Sequence, residues 1–152
     1  MRITEEEKFM RAALNEAKKA ADEGEVPIGC VIVKDGRIIA RGRNAREKKK
    51  NAILHAEMVA IDKACRKLGG WRLWQCEMYV TLEPCPMCTG AIIHARIPKV
   101  YIGAPDPKGG AMGGVVNLTD FPFNHKPETI FGLYEEESKE LLRSFFRTLR
   151  KR

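Results

Sequence analysis

Two short motifs constrain this chain more than anything else in it: His55-Ala56-Glu57, and Glu83-Pro84-Cys85-Pro86-Met87-Cys88 further on. One imidazole and two thiols have the donor chemistry of a zinc site. Structural zinc sites are usually closed by four protein ligands, whereas catalytic ones keep a position open for water. Only three candidates, His55, Cys85 and Cys88, have motif spacing, so the pattern favours an open site holding one zinc per chain. Glu57, two residues past the histidine, is then placed to handle a water's protons rather than to bind metal. The competing structural reading, a zinc that only pins one helix to another, leaves Glu57 without a role.

The spacing also predicts how the ligands are presented. A C-x-x-C segment beginning a helix puts both sulfurs on one turn, and the unpaired amides of a helix start favour thiolates. His55 begins another periodic segment, so two helix N-termini are expected to converge on the metal. The remaining cysteines, Cys30, Cys65 and Cys76, sit among apolar neighbours and read as small core residues. No disulfide framework is implied, which points to a reducing cytoplasm.

At 152 residues the chain is expected to form a single domain, 1–152, without repeats or linkers. Its net charge of +7 suggests an anionic partner such as nucleic acid. No apolar run approaches membrane-spanning length, and the N-terminus lacks an apolar signal core.

Along the chain, Thr4 and Glu7 form a capping box for a helix running to about Glu23, with Phe9, Ala13, Ala17 and Ala20 on its buried face. Strands are expected at 26–34 and 37–41, joined by a tight Asp35-Gly36 turn. A polar loop, 43–53, carries Arg46, Lys48, Lys49 and Lys50. His55 to Leu68 is expected to be helical, with Met58, Ile61, Ala64 and Leu68 inward and Gly69-Gly70 as the stop. A third strand at 77–82 leads to a helix beginning near Pro86. That helix crosses over to a parallel strand at 99–103. Residues 104–126, rich in glycine and proline, give little periodic signal. A fifth strand is expected near 129–133 and a final helix from Glu135, acidic at its start and basic at its end. Helices alternating with a mixed sheet make an α/β sandwich.

An H-x-E followed by P-C-x-x-C is the zinc nucleobase-deaminase signature. Together with Val26-Pro27-Ile28-Gly29, Asn44, Trp71-Arg72-Leu73, Ala95-Arg96-Ile97 and Phe123-Asn124-His125, all in matching order, it resembles the bacterial tRNA-specific adenosine deaminases. The resemblance covers nearly the whole chain. It implies a cytidine-deaminase-like three-layer α/β/α sandwich with a five-stranded mixed sheet. It also implies a homodimer and the conversion of a wobble adenosine to inosine in tRNA. Zinc-activated water would be the nucleophile and Glu57 the proton shuttle.

By the same resemblance, Asn44 and the Ala56 and Cys85 amides contact the base. The Phe145-Phe146-Arg147 region and the Asn124-His125 pair contact the anticodon stem-loop. Arg150 adds a cation on the last helix for phosphate. A turn-forming role for Asn44 stays open, as does a core role for Phe145 in the apolar stripe with Leu141, Leu142 and Leu149. Glu83 is left between a role beside the zinc and none. The chain departs from the family at Ile53-Leu54, Ala111-Met112-Gly113-Gly114 and Ser138, positions that bear on the pocket wall rather than on any ligand. A zinc deaminase of a free base such as guanine or cytosine is the nearest alternative. A non-catalytic RNA-binding module with structural zinc is the next.

Overall fold

In the computed structural model, which describes residues 2–150, the first helix, α1 (Glu5–Asp22), opens with the reciprocal Thr4–Glu7 capping box. Its buried face includes Phe9, Ala13, Ala17 and Ala20, and Gly24, at a positive φ, turns the chain away. Strands β1 (Gly29–Lys34) and β2 (Arg37–Arg43) follow as a hairpin. Asp35 and Gly36 both take positive φ in its turn, the backbone a twisted two-residue hairpin needs.

The basic loop is not wholly irregular. A four-residue helix, α2 (Arg46–Lys49), interrupts it, held by the buried Glu25 carboxylate, which accepts the Glu47 and Lys48 amides at 3.1 and 2.7 Å. The metal-motif elements come next: α3 (Ala56–Leu68), β3 (Cys76–Leu82) and α4 (Pro86–Ala95). Then follow β4 (Lys99–Ala104), β5 (Glu128–Phe131) and α5 (Glu135–Arg150).

The five strands form one sheet in the order β2-β1-β3-β4-β5. β1 runs antiparallel to β2 and β3, while β3, β4 and β5 are parallel. Side chains alternate between faces, as the two-residue period of a strand requires. Val31, Val33, Tyr79 and Tyr101 pack with Phe9, Met10 and Ala13 of α1, the two tyrosine rings stacked at 4.4 Å. Cys30, Ile32, Met78, Val80, Val100 and Ile102 pack on the opposite face with α3 and α4. The expected three-layer α/β/α sandwich with a five-stranded mixed sheet is therefore the observed fold.

Two expectations about packing are corrected. The inward face of α3 is Ala56, Glu57, Ala60 and the expected Ala64, with Ile61, half-buried, packed against the same core as expected; Leu68 is exposed, and Met58 is only half-buried. The cause is close approach to the sheet. A Cβ at Gly42 of β2 would collide with the backbone of Ala56 and Ala60, so small residues line this contact and larger ones are turned aside. On α5, Leu149 is 47% exposed, so the apolar stripe expected there does not reach the core at its C-terminal end. Ser138 is the buried residue of that helix, and its Oγ lacks a hydrogen-bond partner among the described residues.

Candidate metal centre and active site

His55 and Cys85 are the N-cap residues of α3 and α4, each in extended backbone conformation. Pro86 occupies the first turn of α4, where a missing N–H costs nothing. Cys88 falls one turn on, completely buried. The two helix starts meet, and His55 Nδ1 lies 3.6 Å from both the Cys85 and the Cys88 sulfur. Among the described residues these three form the group able to hold a metal ion, with all ligand atoms within 4.8 Å of one another.

The spacing fits zinc. Bonds of about 2.05 Å to nitrogen and about 2.3 Å to sulfur at tetrahedral angles put N and S about 3.6 Å apart. The same side chains lie close enough to hydrogen-bond to one another. The Cys85 thiol is lowered to about 4, chiefly by its hydrogen bond from Cys88 and also by His55. Cys88 is driven upward by that same bond and by burial. The bond to Cys85 raises His55 as well. A half-buried pocket of one imidazole and two cysteine sulfurs is what a soft divalent cation takes over by displacing protons.

Glu57 is 4% exposed on the first turn of α3. Burial, the largest cause, raises its carboxyl to about 7, reinforced by the charge of Cys85. A carboxyl poised there both accepts and gives up a proton near neutrality. That is the property expected of a general acid–base and not of a solvated surface glutamate.

Asn44 follows β2 and is buried. Its Nδ2 donates to the Val26 carbonyl at 3.2 Å, and its Oδ1 accepts the Ala56 amide at 3.0 Å. The asparagine and the amide expected to meet a substrate are thus bonded to each other, and Asn44 has a structural duty at the start of α3. Beside it, between the basic loop and α3, runs a cleft of about 720 Å³ whose walls include Arg43, Lys49, Ile53, Leu54 and Met58. Arg43 and Lys48 are tied back to Glu23 at 2.9 and 3.0 Å, and Arg43 also to the buried Glu16 at 3.0 Å. Arg46, Lys49 and Lys50 are exposed.

The other expected contacts are more dispersed. Asn124 is exposed. The His125 Nε2 lies 2.6 Å from the Ile97 carbonyl, which makes that nitrogen the N–H donor and straps the 105–127 loop to the α4–β4 turn. Phe146 is 41% exposed, with its ring edge-on to the half-buried Phe145 at 5.4 Å. Arg147 and Arg150 are exposed, Arg147 within 3.4 Å of Glu140. Lys151 and Arg152 lie outside the described residues.

Glu83 has a role that its position in the motif left open. Its carboxylate, 3% exposed, accepts the Asp106 amide on Oε1 at 3.0 Å. Its Oε2 accepts the amides of Met112 and Gly114 at 2.9 and 2.8 Å. The only hint in the sequence is a glutamate in an otherwise apolar strand end, facing a glycine-rich loop.

Comparison with known proteins agrees with this geometry. Residues 3–104 match the family described as the cytidine and deoxycytidylate deaminase zinc-binding region. The tRNA-specific adenosine deaminase of Bacillus subtilis is 52% identical over 151 residues, spanning 99% of this chain and 94% of that protein. A solved structure from a study of A-to-I editing by tRNA:A34 deaminases at the wobble position superposes with a TM-score of 0.87 at 48% identity, covering 89% of this chain and 99% of the other. A guanine deaminase from Nitrosomonas europaea shares the fold, with a TM-score of 0.76, but only 23% of the sequence over 91% of this chain and 83% of its own. With its zinc motif matched and half its residues shared over almost its full length, this chain belongs to the tRNA-specific adenosine deaminases, within the cytidine and deoxycytidylate deaminase zinc-binding family.

Proposed function

We propose that the protein hydrolyses the wobble adenosine of a tRNA to inosine, releasing ammonia. The observation that carries this reading is Glu57: a buried carboxyl raised to about 7, two residues from a metal-ligand histidine, in a chain half identical to tRNA-specific adenosine deaminases. One zinc per chain is held by His55, Cys85 and Cys88. When bound, it supplies the Lewis acidity that makes water a nucleophile at neutral pH.

The chain's own residues do the rest. Glu57 takes a proton from the attacking water and delivers it to the ring nitrogen. It then takes the second proton from the new C6 hydroxyl and delivers it to the amino group, which leaves as ammonia as the C6–N bond breaks and the carbonyl forms. Asn44, with one amide hydrogen on Val26, has a second to offer a purine edge, while its oxygen fixes the start of α3. Asn124, His125, Phe145, Arg147 and Arg150 are assigned to the anticodon stem-loop. Exposed aromatics and cations suit unstacked bases and phosphates.

The protein is further proposed to act as a homodimer, on the resemblance to its relatives, and as one domain across 1–152. None of the described helices is long and apolar enough to cross a membrane. All five cysteines are unpaired, in keeping with a reducing cytoplasm. The deciding experiment incubates zinc-loaded protein with an unmodified anticodon stem-loop and, separately, with free bases. Inosine in the stem-loop supports the proposal. Ammonia from guanine or cytosine with an untouched stem-loop would replace it with a free-base deaminase.

A further inference from the structure

Residues 105–127 connect β4 to β5 with little regular structure: one short 3-10 turn at Leu118–Asp120 and an isolated bridge from Met112 to Asn117. Loops of this length are uncommon in a compact domain unless something organises them. Here the organiser is an anion inside the protein. The three amides on the Glu83 carboxylate make the loop wrap it as backbone N–H groups wrap a bound phosphate. The wrapping is tight, since a Cβ at Gly110 would fall within the carboxylate itself. A further bond, from the Ala111 amide to the Pro84 carbonyl at 2.9 Å, ties the loop one residue from Cys85.

The first turn of this loop is closed on Asp106. Its Oδ1 accepts the Lys108 and Gly109 amides at 3.1 and 3.2 Å, and its carbonyl accepts that of Gly110 at 2.9 Å. Asp106 itself hangs from Glu83. The turn delivers Lys108 into a cleft of about 660 Å³ that it shares with Leu142, Arg143, Phe146, Arg147 and Arg150 of α5. Four cations and an exposed aromatic ring in one cleft suit a phosphate backbone with an adjacent base.

We propose that Glu83 is a positioning residue for RNA binding: its carboxylate anchors the 106–114 loop to the metal motif and thereby holds Lys108 in the cation-lined cleft of α5. This rests on the function proposed above and deepens it. The motif that presents Cys85 and Cys88 also sets one wall of the cleft that grips the RNA outside the reacting nucleotide.

Glu83→Gln separates the two roles. A glutamine keeps one oxygen, which belongs where two amides converge, and turns its NH2 toward the Asp106 amide. The Asp106 turn is then released while Met112 and Gly114 stay held. Steady-state deamination of an anticodon stem-loop should show KM raised about tenfold, the equivalent of one charge-assisted hydrogen bond. Turnover at saturation and zinc content should match the parent. Gly110→Ala, which crowds the same carboxylate without altering residues 81–88, should reproduce that split.

Lys108→Ala should also raise KM. Adding Glu83→Gln to it should raise KM by clearly less than the product of the single effects, because both act through one turn. Multiplying effects, an unchanged KM in Glu83→Gln, or a fall in turnover with loss of zinc would each overturn the proposal; the last would assign Glu83 to the metal shell instead. A parent protein that leaves the stem-loop unedited fails the functional reading, and this inference with it. A parent that edits beside variants that match it fails this inference alone.

Discussion

The side-chain oxygen of Asn44 accepts the backbone N–H of Ala56 at 3.0 Å, joining the end of β2 to the first residue of the helix that carries Glu57. The bond is buried and lies next to His55. Replacing Asn44 by alanine strands the buried Ala56 amide, at a cost of about 1–3 kcal/mol, whereas the Val26 carbonyl keeps the Ile28 amide at 2.8 Å. Asn44→Ala should therefore melt measurably lower and edit RNA more slowly, with zinc retained. Equal melting temperature and equal single-turnover rate would remove both roles from Asn44.

Cys88 is the most buried of the three candidate ligands, and with Cys85 it would supply the two thiolates that balance the metal charge. Purified protein should carry one zinc per chain by elemental analysis. Cys88→Ala should lose it, together with much of the thermal stability, because metal binding to a site absent in the unfolded chain is folding free energy. Full zinc occupancy in the variant would take Cys88 out of the ligand set.

Glu57→Gln preserves shape and burial but removes the proton carrier. Zinc content and stem-loop affinity should stay at parental values. The single-turnover deamination rate should fall by at least the roughly 10²–10⁴-fold typical of a general acid–base. Turnover at the parental rate would show the acid–base assignment to be wrong.

Arg147 and Arg150 are exposed on α5, and the surface pair of Arg147 with Glu140 contributes little to stability. Replacing both by alanine should weaken stem-loop binding. It should also flatten its dependence on salt by about 0.7 in logarithmic slope per lost phosphate contact. Melting temperature should barely move. Binding titrations across salt concentrations decide the matter, and parallel slopes for parent and variant would exclude these two arginines from the interface.

Ser138 buries a hydroxyl without a partner among the described residues. An unsatisfied buried polar group costs about 1–3 kcal/mol, and a small apolar side chain occupies the same space without that cost. Ser138→Ala should raise the melting temperature and leave editing unchanged, as differential scanning calorimetry would record. A lower melting temperature would mean that the hydroxyl is satisfied in solution.

What the sequence determined by itself is local or chemical in kind. The Thr4–Glu7 capping box, the Asp35-Gly36 turn and the Gly69 stop are written in spacings of a few residues, and the structure reproduces each. The convergence of His55, Cys85 and Cys88 was legible because few residue types bind zinc and their spacing on two helix starts restricts where the ligand atoms point. Tertiary structure alone decided which residues hold these parts in place. Glu25 caps α2 from more than twenty residues upstream, Asn44 holds the start of α3, and Glu83 gathers a loop that begins more than twenty residues later. In each case the partners are backbone amides or carbonyls, groups common to almost every residue, so nothing in the partner's identity marks the contact. The inward face of α3 was hidden for a related reason. Apolar spacing pointed to Met58 and Leu68, but the approach of Gly42 to the helix backbone, set by the sheet, puts alanines at the point of contact, Ala56 and Ala60.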